Sequence, residues 1–190
     1  MLSDHGEEFG EHGGTGHGRT LYREVVHVPF FIHRPGLREA VRIDRPVSTV
    51  SLLPTLAELL GEEPRAHWEC PSLVPLLRWD DADPSPIVSE LLRNPEDLRA
   101  EVRSVIHAEH HLHRSRFRNS PAAVEELFNL TTDPGETVDL HRDRRDRAAE
   151  LSALLDDFAT HAPAGDWEFV EIEVDAETRE HLESLGYLEP

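Results

Sequence analysis

The sequence predicts an α/β chain in two parts: a loop, strand and helix first, then a small antiparallel sheet with a helix packed on it. Three observations predict it. Val25, Val26, Val28, Phe30, Phe31 and Ile32 form a dense apolar run closed by Pro35-Gly36, the pattern of a buried strand. Several short β-prone runs follow one another between residues 86 and 130. Residues 142–160 then carry Ala148, Leu151, Leu154, Leu155 and Phe158 at helical spacing.

Each element has its own signal. Residues 50–61 predict a helix, with Ser51 as cap and Pro54 tolerated in the first turn, where no backbone N–H is needed. Leu53, Leu56 and Leu60 share one of its faces, with Leu52 and Leu59 alongside, and Gly61 ends it. Residues 61–86, rich in proline and charge, read as a surface connection. Residues 86–92, 102–108 and 112–117 read as strands, the last two a hairpin turning near 109–111, and residues 125–130 add another. Residues 131–136 make a turn, 162–165 a short linker, and 169–174 alternate like a strand edge. Asp175 with Thr178 opens a terminal helix that Gly186 closes. The expected division is residues 1–85 and residues 86–190.

Composition narrows the function. A net charge of -19 argues against nucleic acid as a partner, because phosphate backbones are bound by basic surfaces. All 19 basic residues are arginine, which points to a GC-rich or salt-adapted source. No apolar run is long enough to span a membrane, and Met1 opens no signal peptide, so a soluble chain of unassigned compartment is expected. The single cysteine, Cys70, rules out an internal disulfide and reads as a small buried apolar residue.

The chemistry is concentrated at the amino end, in Ser3-Asp4-His5-Gly6-Glu7 and the glycine-flanked His12 and His17. Asp4 and His5 can reach one cation if the backbone turns sharply, which Gly6 permits by tolerating positive φ. A carboxylate beside an imidazole suits zinc or manganese and does not exclude calcium or magnesium. His12 and His17 can donate to a phosphate- or sulfate-like oxyanion, or act as acid or base. The same composition describes a mobile terminal tail. The apolar run that follows argues against that, since it anchors the loop. A second histidine cluster, His107, His110, His111 and His113, reads as structural, because alternate hairpin positions face opposite ways and no cysteine or close aspartate completes it. The arginines of 142–147, interleaved with Asp143 and Asp146, read as a solvated helix start.

Ser-Asp-His-Gly-Glu at 3–7, Gly-Glu-His-Gly at 10–13, His-Gly-x-Thr-Leu-Tyr-x-Glu at 17–24 and Val-Pro at 28–29 together resemble the sulfatases of the alkaline phosphatase superfamily. The likeness continues through 50–61, Pro-Ser-Leu-Val-Pro-Leu-Leu at 71–77, Glu-Leu-Phe-Asn-Leu at 126–130, Asp-Pro-Gly-Glu at 133–136 and the tail at 175–188. It implies part of an alkaline-phosphatase-like sandwich in residues 1–85. It implies that Asp4 and His5 bind a divalent cation, with calcium expected and manganese or zinc as alternatives. It also implies that His17 contacts the sulfate and assists the leaving group, and that His12 is a second substrate contact; Arg19 is an alternative anion contact or a structural arginine.

One departure matters. The family's nucleophile lies in Cys-x-Pro-x-Arg or Ser-x-Pro-x-Arg, whose first residue becomes formylglycine, and no such segment occurs in these 190 residues. Cys70 precedes Pro71 directly and lacks the arginine. The expectation is therefore the carboxy-terminal part of a sulfatase acting on a sulfate ester, inactive alone, with a missing amino-terminal half or a second copy as partner. The alternatives are a phosphodiesterase or phosphonate hydrolase of the same superfamily, a non-catalytic remnant, and a stand-alone metal-binding module.

Overall fold

The computed structural model describes residues 1–33, 35, 40–63, 65, 68, 70–77, 85–92, 99–161 and 175–184. Its amino-terminal segment doubles back on itself through short backbone ladders. Phe31 N–H donates to the Met1 carbonyl at 2.8 Å and Ser3 N–H to Pro29 at 3.3 Å, flanking a bridge between Leu2 and Phe30. Further in, Gly6 N–H donates to Val25 (2.7 Å) and Glu7 N–H to Glu24 (3.1 Å). Strands β1 (Glu8–Phe9) and β2 (Thr15–Gly16) then pair antiparallel.

The buried strand expected over residues 25–32 does not form. Residues Arg23–Val26 are instead one helical turn, α1, with Val25 buried inside it. Two local causes are visible. The Arg23 N–H at its start is taken by the Glu136 carboxylate at 2.6 Å, and Pro29 has no N–H to give to a ladder. Phe31, expected in the core, is 60% exposed.

Helix α2 (Leu52–Leu59) follows a 3₁₀ turn at Thr49–Ser51 and ends at Gly61, whose φ of +85° suits the left-handed cap. The cap is Ser48, whose hydroxyl accepts from Val50 N–H, not Ser51. The helix buries Pro54 and Thr55, and Thr55 Oγ1 accepts from Leu73 N–H at 2.8 Å just before the short helix α3 (Val74–Leu77). The leucine face expected to be its core side points outward: Leu53 and Leu60 are 59% and 81% exposed. Cys70 is half-buried.

The second half follows the period-2 pattern closely. Strands β3 (Ile87–Leu92), β4 (Arg99–His107), β5 (His110–Phe117) and β6 (Val124–Asn129) form an antiparallel meander in that order. The β4–β5 turn is Ala108-Glu109, with Ala108 in the left-handed region. Val105, Leu112 and Leu127 lie in one cross-strand row, all completely buried. Ala148, Leu151 and Leu155 of helix α4 (Arg145–His161) pack on that row. Helix α5 (Ala176–Ser184) is capped by Asp175, which accepts from Thr178 N–H at 2.7 Å, as expected. The linker, strand edge and Gly186 stop expected at 162–165, 169–174 and 186 lie outside the described residues. Among the described residues, no helix is long and apolar enough to cross a membrane.

The sheet thus has two buried faces. Leu112 looks toward α4, so its strand neighbours His111 and His113 look the other way, where the amino-terminal loop lies. Tyr22 of that loop stacks against His113 at 4.6 Å, and its hydroxyl donates to Glu126 of β6 at 2.9 Å.

Candidate active site

Asp4 and His5 stand out from the backbone between the Leu2–Phe30 bridge and the Gly6–Val25 hydrogen bond. Gly6 permits this, though not through the expected positive φ, since it is not among the glycines with that conformation. A Cβ there would lie 1.9 Å from the Glu24 carbonyl oxygen, so the requirement is close approach of two backbones.

His5 Nδ1 lies 2.8 Å from the Gly6 carbonyl, which can only accept, so Nδ1 carries the proton and Nε2 presents a lone pair. That Nε2 is 3.8 Å from Asp4 Oδ2. The Asp4 side chain is 77% exposed, and its pKa is lowered by the backbone amides of Asp4 and His5 and then by the His5 ring. An ionised carboxylate next to an imidazole whose other nitrogen is tied to a carbonyl is a donor set that fits a divalent cation.

His17 stacks on His5 with ring centroids 4.0 Å apart, and its Nδ1 meets Glu7 Oε2 at 3.2 Å. His5, Glu7 and His17 each bring a ligand atom within 4.8 Å of the others. The structure therefore brings Asp4, His5 and His17 together and adds Glu7, a residue of the Asp-His-Gly-Glu run with no role assigned from its residue type.

His12 is placed differently. Its Nδ1 bonds Glu24 Oε1 at 2.6 Å and its Nε2 donates to the Glu136 carbonyl at 3.1 Å. Burial works against its charge, but the bonds to Glu24 and Glu136 win and raise its pKa. The ring also stacks on Tyr22 at 3.7 Å. With both nitrogens engaged, His12 clamps the loop. Glu8 does the same from inside: 2% exposed, it accepts from Gly14 N–H (2.7 Å) and Thr20 Oγ1 (3.1 Å). Neither Glu8 nor Glu136 was legible as a site residue, since an acidic chain offers 38 carboxylates and only the fold selects two.

Residues 1–62 match the family model described as Sulfatase. Residues 1–62 are thus a sulfatase-type segment, and the rest of the chain is similar to sulfatases. The Δ4,5-hexuronate-2-O-sulfatase of Bacteroides thetaiotaomicron is 29% identical over 188 residues, which is 95% of this chain and 38% of that enzyme. A solved structure of a sulfatase-family protein from the same organism superposes with a TM-score of 0.69 at 28% identity, covering 94% of this chain and 39% of the other. A second solved structure, determined in complex with its substrate D-glucosamine-2-N,6-O-disulfate, gives a TM-score of 0.64 at 21% identity over 87% of this chain and 35% of that one. The chain thus spans well under half the length of the relatives it matches, and its fold is that of the corresponding part of an alkaline-phosphatase-like enzyme.

Proposed function

We propose that this chain forms one wall of a sulfuric-ester hydrolase site acting on a sulfated sugar, with residues 1–85 belonging to the catalytic unit and 86–190 to a subdomain that braces it. The observation that carries the reading is the convergence of Asp4, His5 and His17 on one exposed edge of a loop whose sequence is of sulfatase type. In this reading Asp4 and His5 hold the cation, calcium in the first instance, and Glu7 supports His5 and His17. A bound cation would supply positive charge to the sulfate oxygens. His17 orients the sulfate and passes a proton to the departing alcohol oxygen. His12 holds the loop in register.

The nucleophile has to come from outside these 190 residues, because none of them lies in a Cys-x-Pro-x-Arg or Ser-x-Pro-x-Arg segment. The outward leucine face of α2 favours the same view, since an exposed apolar stripe normally has a covering partner. Calorimetric titration of calcium and manganese into the chain, with Asp4→Ala as control, tests the cation site: saturable binding lost in the variant is expected, and Asp4-independent binding would sink the assignment. Hydrolysis of an aryl sulfate and an aryl phosphate tests the rest. The chain alone should turn over neither, and the assembly that supplies a formylglycine segment should prefer the sulfate.

A further inference from the structure

Alternate hairpin positions face opposite ways, which argues against one site made by His107, His110, His111 and His113 together. That argument separates His110 from His111, but His111 and His113 are two apart on β5 and share a face. The third member comes from the turn after β6: Glu136, with φ of +52°, reaches under the sheet. All three side chains are between 0% and 5% exposed.

The ligand atoms form a closed triangle. His111 Nδ1 is 2.6 Å from Glu136 Oε1, His113 Nε2 is 3.2 Å from the same oxygen, and the two nitrogens are 3.2 Å apart. Two N–H donors sharing a carboxylate oxygen would occupy separate lone-pair directions, roughly 120° apart. Here they subtend roughly 65°, so the two nitrogens and the oxygen lie close enough together to share one centre. Three donors facing one centre is the arrangement of ligands about a cation with bonds of about 2.0–2.1 Å. The surroundings hold it rigid: Arg23 N–H takes Glu136 Oε2 at 2.6 Å, leaving Oε1 to the imidazoles, while Tyr22 and the edge of Phe128 close on His113 at 4.6 and 5.5 Å.

We propose that His111 Nδ1, His113 Nε2 and Glu136 Oε1 form a structural zinc site, distinct from the Asp4–His5 edge, that ties β5 and the turn after β6 to the start of α1. Two imidazoles and one carboxylate are a borderline-soft set that suits zinc, whereas calcium and magnesium prefer six or more oxygens. Zinc on Nδ1 of His111 puts that ring's proton on Nε2, which is buried without a hydrogen-bond partner among the described residues. That cost is small beside the free energy of a structural zinc site.

The test uses the full chain carrying Asp4→Ala together with His5→Ala, which removes the loop ligands at Asp4 and from the His5–Glu7–His17 group, so that a loop cation cannot be confused with this one. Metal analysis after gel filtration should give one equivalent of zinc. Replacement by cobalt(II) should give the visible ligand-field bands of a low-coordinate nitrogen–oxygen site, and His113→Asn should weaken zinc binding at least a hundredfold. If the His113→Asn chain does not fold, the chain carrying Asp4→Ala and His5→Ala still decides: a picomolar zinc chelator should lower its Tm, and zinc alone should restore it. A metal-free chain whose Tm ignores chelator, or zinc retained at full affinity in folded His113→Asn, overturns the proposal and leaves a hydrogen-bonded triad.

Discussion

His12 and Glu136, 124 positions apart, are joined by a 3.1 Å hydrogen bond from the imidazole Nε2 to the glutamate carbonyl. This bond makes the turn after β6 part of the loop's scaffold. Glu136 fixes the loop twice, through His12 and through the backbone of Arg23. His12→Ala removes the clamp between Glu24 and that carbonyl. Hydrogen bonds involving charged groups contribute about 1.5–3 kcal/mol, so amides in residues 6–14 should exchange about ten- to a hundredfold faster while those of β4 and β5 are unchanged. Uniform exchange across the chain would mean that the loop is held by something else.

Gly6 supports a sharper prediction. The added methyl of Gly6→Ala meets the Glu24 carbonyl at 1.9 Å, and backbone cannot swing aside as a side chain can. The Gly6–Val25 and Glu7–Glu24 bonds should break, with a loss of at least about 2 kcal/mol. Gly18→Ala is the control, with nothing within 4 Å but a φ of +77°, so it should lose only about 1–2 kcal/mol. Urea unfolding of the two variants checks the order. If Gly6→Ala is the milder, the close approach is not what selects glycine there.

Acid should weaken the α4 face of the sheet through Glu125. Burial by itself would raise this carboxyl, but hydrogen bonds from Ser152 at 2.7 Å and Arg114 at 2.6 Å overcome it and hold the pKa below 4.5. A depressed carboxylate contributes stability that is fully present above its unfolded value and is lost as pH falls through its folded value. Stability should therefore decline below about pH 4.5. Glu125→Gln should lower it by about 2 kcal/mol at pH 7 and flatten the acid limb. An unchanged acid limb in that variant would remove Glu125 from the account.

The second half of the fold was legible in the sequence because its signals are local. Short β-prone strands, a two-residue turn and a helix with Leu151 and Leu155 on one side each specify themselves within a few residues. The first half was not. Residues 25–32 have the composition of a strand, but the Glu136 carboxylate, 113 positions from Arg23, caps a helical turn at Arg23–Val26 that takes up the start of the run. For the site, the sequence proposes Asp4, His5 and His17 by residue type and by resemblance to sulfatases, and these three lie side by side. It could not reveal that His12 is engaged on both nitrogens, or that Glu136 meets His111, because both depend on tertiary contacts.

The exposed leucines of α2 divide the chain's apolar residues into two kinds. Leu151 is completely buried against the Val105–Leu112–Leu127 row, and Leu151→Ala should cost about 2–5 kcal/mol through transfer and cavity terms. Leu53 and Leu60 are more than half exposed, so Leu53→Ser and Leu60→Ser should stay within about 0.5 kcal/mol of the parent chain and raise its solubility. In an assembly that carries the formylglycine segment, the same two changes should become destabilising, because the stripe would then be covered. Urea midpoints of the chain and of that assembly measure both effects. Equal tolerance in the two would mean that the partner surface lies elsewhere on the sulfatase fold.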